Sequence, residues 1–292
     1  MYYYLLLVIA AIGTAGNFAL TKIYQKTMGN ASRESIVFNM LIGLFSSIVF
    51  LFLGGCRVEY TPFSGFMAFL MSLFVGVYTM IGFKIMSMGS VTVYTIFLML
   101  GGAVVPYLYG IVFLDEIVNL AKVIALLLIV AAVILNCMKK NAGKQSGYFI
   151  LLCIAVFLLN GAVSVISKIH QIETDYAVVS ADAFVLLKSI VRFLFFAVLL
   201  PFFSRKTPEK KPVSGKMYLL ILASSVVSSF AYVLQLIGAS YLPATVLYPI
   251  MTGGTIVMTS LFDRICFAQR INKTTKLSIV ICMIALCLFI VE

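Results

Sequence analysis

Apolar residues run along this chain in stretches of about twenty, broken by short links that hold most of its charge. As a helix, a stretch of that length covers roughly 30 Å, the thickness of a bilayer's hydrocarbon layer. The pattern predicts ten helices. The first five fall at about 2–23, 34–53, 62–86, 91–113 and 118–138, the second five at about 148–169, 181–203, 215–238, 243–267 and 275–291. Pro62 suits a first helical turn. Gly89-Ser90 reads as a tight turn, and Asp115-Glu116 mark the next link.

The polar break at 139–147 divides two halves that resemble each other. "KIYQ" begins at Lys22 and "KIHQ" at Lys168, 146 positions later. Gly101-Gly102 return as Gly253-Gly254, at an offset of 152. Ordered matches whose offset grows in small steps are the mark of a duplicated unit. The chain is therefore read as a first five-helix repeat (1–138), a linker (139–147) and a second repeat (148–292). Five is odd, so the second repeat enters the membrane from the opposite side, related to the first by a two-fold axis in the membrane plane. The fold class expected is an all-α polytopic membrane protein with ten transmembrane helices in two inverted five-helix repeats.

Composition agrees with the pattern. The 292 residues are 63% hydrophobic and 11% charged, against about 25% charged in soluble domains. The net charge of +11 could suggest nucleic acid, but the basic residues sit in links, where they meet lipid headgroups. No nucleic-acid partner is expected. All the link-borne Lys and Arg except Arg57, Lys122 and Lys168 fall on one side of the predicted membrane. The positive-inside rule makes that side cytoplasmic and turns both termini outward. The six cysteines form no CxxC pair and read as packing residues, neither disulfides nor metal ligands. The N-terminal run lacks a basic leader and reads as a first helix that is kept.

The arrangement resembles the ten-helix EamA-like members of the drug/metabolite transporter superfamily. "FLDEIVNLAKVIALLLIVAAVI" is similar to that family's acidic turn before helix 5, with Glu116 in the acidic place. Gln269 stands there in the second repeat. "VRFLFFAVLL" is similar to its Arg-led helix, with Arg192 as the Arg and Gly43 at the equivalent first-repeat place; Pro106 and Pro249 also fit. The resemblance implies a carrier of small organic molecules in a bacterial plasma (inner) membrane, monomeric or homodimeric. It implies a cavity lined by helices 1, 3, 4, 6, 8 and 9, with 5 and 10 peripheral. It also implies cytoplasmic termini, the reverse of the charge count.

Polar residues inside the apolar runs follow helical spacing. Helix 8 carries Ser224, Ser228, Tyr232 and Gln235 on one face, and helix 9 carries Thr245, Tyr248, Thr252, Thr255 and Thr259. Helix 6 has Asn160, Ser164 and Ser167, helix 1 has Thr14, Asn17 and Thr21, and Tyr78 lies in helix 3. An unpartnered polar group in hydrocarbon costs several kcal/mol, so these faces should turn inward. Ser and Thr often bond back to their own helix. Asn17, Asn160, Tyr232, Gln235 and Tyr248 are harder to satisfy that way. The helix 4 positions matching the helix 9 stripe are Val93, Ile96, Leu100 and Ala103, which predicts a site drawn mostly from the second half. The substrate-binding candidates are Asn17, Tyr78, Asn160, Ser164, Ser228, Tyr232, Gln235, Tyr248, Thr252 and Arg192.

Charges at membrane depth are rarer. Lys188 and Arg192 share one face of helix 7; Asp182, lipid phosphate or an anionic part of the substrate could offset them. Lys22 and Lys168 read as interfacial anchors, and His170, the one histidine, as a structural residue or a proton relay. No carboxylate falls in the central part of helices 1, 3, 4, 6, 8 or 9, which disfavours proton-coupled export of hydrophobic cations. There is no HExxH, no GxSxG and no acid cluster, so an enzyme, a cofactor and a metal are not expected. The function expected is alternating-access transport of a small polar or zwitterionic metabolite, with membrane lipid as surroundings. The alternative is a membrane-embedded lipid-processing protein or flippase component.

Overall fold

The computed structural model describes residues 2–29, 32–87, 91–137, 147–204, 213–267 and 273–290. Its elements are α1 (Tyr2–Met28), α2 (Ser32–Leu53), α3 (Pro62–Ser87), α4 (Val91–Phe113), α5 (Leu120–Cys137), α6 (Gly147–Ile172), α7 (Ala181–Ser204), α8 (Gly215–Tyr241), α9 (Ala244–Phe267) and α10 (Lys273–Ile290). Eight of the ten helices are long and apolar enough to cross a membrane. The remaining two, α5 and α10, have 18 residues each, about 27 Å at 1.5 Å per residue. Several helices outrun the apolar stretches that predicted them. α1 continues through Lys22 and Lys26 to Met28, because backbone bonding does not stop where hydrophobicity does. The expected turn at Gly89-Ser90, Gln269 and all of the linker but Gly147 lie outside the described residues.

The outward faces are apolar. Phe52, Phe113, Leu120, Leu127, Val198 and Ile265 are among many large hydrophobic side chains left exposed. A soluble protein does not show apolar surface on this scale. Together with the eight long helices, this makes the chain an integral membrane protein.

The two halves of the chain interlace. α1 packs on α8 and α9, α2 on α7, α3 on α6 and α7, α4 on α6 and α9, and α5 on α10. Small residues permit the closest crossings. A Cβ built on Gly101 would stand 2.2 Å from the Phe157 carbonyl oxygen of α6, and one on Gly43 would stand 2.7 Å from the Phe193 nitrogen of α7. At both places backbone meets backbone, and there is no room for a side chain. One core joins α1, α4, α5, α9 and α10 around Leu7, Ile129, Leu247 and Ile256. A second joins α2, α3 and α7 around Phe50, Met71 and Phe184.

The helix ends gather at two faces. One face, here the basic side, holds the ends of α1, α3, α5, α7 and α9 and the starts of α2, α4, α6, α8 and α10; the opposite side holds the other ends. Two free, exposed cysteines mark the faces: Cys56 on the opposite side, Cys266 on the basic side. In single-cysteine variants in intact cells, an impermeant maleimide is expected to label Cys56 without permeabilisation and Cys266 only after it, as the charge asymmetry requires. The reverse result would put the termini inside.

Candidate functional site

A cavity runs from the basic side into the middle of the bundle. Its outer chamber, about 460 Å³, reaches Lys22, Gln25, Gly29, Phe262 and Asp263 at the ends of α1 and α9. Its deep chamber, about 350 Å³, extends to Ser167, Gln235 and Tyr248. Asn17, Phe18, Tyr78, Thr79, Arg192 and Ser228 line both, so the two chambers are continuous.

All ten candidate residues lie on the wall of the deep chamber. α1 contributes Asn17, α3 Tyr78, α6 Asn160 and Ser164, and α7 Arg192. α8 contributes Ser228, Tyr232 and Gln235, and α9 contributes Tyr248 and Thr252. Several are held by bonds between helices. Asn160 Nδ2 donates to the Leu98 carbonyl at 2.7 Å, and Tyr248 Oη donates to the Ser164 carbonyl at 2.5 Å. Ser224 Oγ donates to Asn17 Oδ1 at 2.6 Å, and Tyr232 Oη lies 2.6 Å from Ser167 Oγ. The small hydroxyls behave locally: Thr14, Thr21 and Thr259 each donate to a carbonyl one turn back.

The structure amends some expectations about the wall. Ser224 and Thr245, placed on the polar stripes by spacing, are fully buried behind it. Ser224 serves Asn17, and Thr245 belongs to the closure described below. α2 and α7 join the six helices expected as lining, while among the described residues α5 and α10 contribute none. Asn39 and Ser46 of α2 were missed. With Ser35 they are spaced four and seven apart, so the rule that found the α8 stripe also picks them out. Most of the polar lining of the deep chamber comes from the second half, and the first half adds Thr14, Asn17, Ser46, Tyr78 and Thr79. Ser46 Oγ sits 2.8 Å from Ser225 Oγ and 2.6 Å from Ser229 Oγ, a three-hydroxyl seam between α2 and α8.

On the opposite side a polar network closes the bundle. Glu116, in the link after α4, reaches across to the first turn of α9. Its Oε1 accepts from Ala244 N at 2.6 Å; its Oε2 accepts from Thr245 N at 2.8 Å and from Thr245 Oγ1 at 2.7 Å. A carboxylate suits this place because the first N–H groups of a helix have no partner within it and carry partial positive charge. Lys168 is not a surface anchor. It is 5% exposed, and its ammonium donates at 2.7 Å to the carbonyls of Ala239 and Leu242, where α8 ends. Exposed carbonyls at a helix C-terminus favour a cation for the converse reason. Lys22, at the matching place in the first half, pairs with Asp263 at 2.5 Å on the rim of the outer chamber. Both side chains of that pair are about a third exposed, so its contribution is under about 1 kcal/mol.

His170 belongs to the same closure. It is fully buried, bonded through Nε2 to Ser64 Oγ and through Nδ1 to the Gln171 amide, both at 2.9 Å, and stacked on Phe184. Ser64 also accepts from Val179 N at 3.1 Å, Ser180 donates to Glu59, and Ser240 donates to Gln171. Helix ends from both halves thus meet beneath the deep chamber.

Lys188 and Arg192 enter the deep chamber from α7. Arg192 donates through an Nη to Asn39 Oδ1, while its buried Nε has no partner. The Lys188 ammonium lies over the Tyr232 ring, 3.0 Å from its centroid. Asp182, expected as a possible offset, is exposed at the start of α7 and pairs with neither in the ion pairs of the described residues. Among the described residues, no group of three or more His, Cys, Asp or Glu is placed to hold a metal ion.

No family model matches the chain, and no curated protein matches it. Twenty-eight chains of solved structures do. One, a crystal structure described only as that of a protein, has a TM-score of 0.76 at 13% identity, covering 96% of this chain and 95% of that one. At that identity the likeness concerns the fold alone.

Proposed function

We propose that this chain is a secondary carrier that moves a small polar or zwitterionic organic metabolite by alternating access, with the cavity as its binding site. The observation that carries the reading is a polar chamber at membrane depth, open toward the basic side and closed beneath by bonds between the two halves, from Glu116 to Ala244 and from Ser64 to His170. A chamber open on one side is one state of such a cycle, and the other state opens the opposite side. In this reading the two halves are inverted repeats, all ten helices span the membrane, and the carrier resembles the EamA-like group in a bacterial plasma membrane. The interlaced packing of the halves supports it, as does the matching placement of Lys22 and Lys168 at the ends of α1 and α6.

The wall fits a polar cargo. Hydroxyl and amide groups at Thr252, Gln235 and Tyr78 border the space, and no carboxylate of the described residues enters the deep chamber. Purified protein in proteoliposomes is expected to give saturable counterflow with at least one compound from a panel of amino acids, sugars, nucleosides, organic acids and phosphate esters. Tyr232→Ala and Asn160→Ala should each lower the apparent affinity about tenfold, the loss expected for one buried polar contact. Non-saturable leakage across the whole panel, equal in protein-free vesicles, would end the proposal.

A further inference from the structure

We infer that Lys188 and Arg192 form an oxyanion subsite, so that the cargo carries a carboxylate or phosphate group and net negative charge. The inference rests on the carrier reading and narrows its substrate class. The two cations stand one turn apart on α7, both on the wall of the deep chamber. Like charges at this spacing repel, and the low-polarity surroundings strengthen the repulsion. No carboxylate of the described residues stands opposite them there. Among the described residues the cavity's one carboxylate is Asp263, in the outer chamber, already paired with Lys22.

What the protein supplies instead leaves donors free. Arg192 is fixed by one bond to the Asn39 amide oxygen, which orients the guanidinium and leaves its Nε buried without a partner. The Lys188 ammonium rests on an aromatic face, a weaker partner than a carboxylate. The Tyr78 hydroxyl is within electrostatic reach of Arg192 and adds a neutral donor. A planar fork of N–H groups, an ammonium one turn away and a phenol make a donor set suited to carboxylate or phosphate oxygens.

The same wall argues against a zwitterion with separated charges. A substrate ammonium would find no carboxylate in the deep chamber and would face two cations already there. At about 350 Å³ the chamber lies at the small end of ligand sites, roughly 300–1,000 Å³, which favours a compact anion.

The test uses full-length protein in phosphatidylcholine nanodiscs, which keep anionic lipid away from the subsite. Thermal-shift titrations compare succinate, glycerol 3-phosphate, succinamide, glycerol, alanine and tetraphenylphosphonium. The expected result is that succinate or glycerol 3-phosphate stabilises the protein while its neutral counterpart does not. Lys188→Gln and Arg192→Gln should each weaken that binding about tenfold or more. Arg192→Lys should restore part of it. Which of the two anions binds separates carboxylate from phosphate recognition. Added phosphatidylglycerol that competes with them would identify a lipid headgroup as an alternative occupant of the same subsite.

Binding of neutral or cationic compounds in preference to anions, unaffected by either glutamine variant, would overturn the inference and leave the carrier reading standing. Absence of binding throughout, with no counterflow of any panel compound, would overturn both. If the glutamine variants do not fold, succinate against succinamide and glycerol 3-phosphate against glycerol on the wild type decide the matter alone.

Discussion

Glu116→Ala is expected to destabilise the protein by about 3–5 kcal/mol, the combined loss of three hydrogen bonds to a charged acceptor. The carboxylate accepts three hydrogen bonds from Ala244 and Thr245, both fully buried. Alanine leaves two backbone N–H groups and a hydroxyl without this acceptor at the start of α9. It also strips a counter-charge from Lys168, which lies within electrostatic reach of the carboxylate. In detergent the unfolding midpoint should fall on the order of 10 °C. Glu116→Gln keeps one acceptor oxygen and should fall between the two. A second readout separates loss of the seal from general weakening: a cysteine at position 235 should become reactive to reagent added from the opposite side in Glu116→Ala but not in wild type. A midpoint within about 2 °C of wild type would show that the closure does not depend on this residue.

The second large effect is expected from the smallest substitution. Gly101→Ala adds one methyl group, placed 2.2 Å from the Phe157 carbonyl oxygen and 2.8 Å from its carbonyl carbon and Cα. These are backbone atoms in the middle of α6, so no rotamer change relieves the contact. α4 and α6 must move apart, loosening contacts along one of the closest helix pairs in the bundle. Overpacking of this kind costs about 3 kcal/mol or more. Asn160, whose amide bonds the Leu98 carbonyl across this same pair, would be displaced with it. Gly215→Ala is the matched control: a Cβ there meets nothing within 4 Å, and its effect should stay within about 0.5 kcal/mol. Size-exclusion profiles and thermal unfolding of the two variants measured together test the prediction. Equal behaviour would mean that the α4–α6 crossing has slack.

These two residues also mark where the sequence could be read and where it could not. Helix positions follow from apolar length, a property of one segment at a time, and all ten appear close to where the pattern puts them. The α8 and α9 stripes were legible for the same reason. Bilayer hydrocarbon forbids unpaired polar groups on the outside, so a polar face on one helix is information about the inside. Glu116 was visible as an acid in a link, but its partners are 128 and 129 residues away, and no local rule connects them. Lys168 misled for a related reason. A lysine near a helix end usually snorkels, and here the end of α8 offers carbonyls that make burial tolerable. Asn39 was hidden by neighbours that are mostly apolar, although its role is to hold Arg192 from another helix. Spacing tells which residues share a face; it does not tell what that face meets.

The closure beneath the chamber has a kinetic consequence. Ser64 serves Thr61, His170 and Val179 at once, Glu116 serves both Ala244 and Thr245, and Lys168 grips two carbonyls. Ser64 and Glu116 each hold the other half through more than one bond, so opening this face has to break several bonds at once. On the carrier reading proposed above, the slow stroke of the cycle would be the one that exposes the chamber to the far compartment, and turnover would climb steeply with temperature. On the same reading, the molecule would rest between strokes with its entrance toward the basic side.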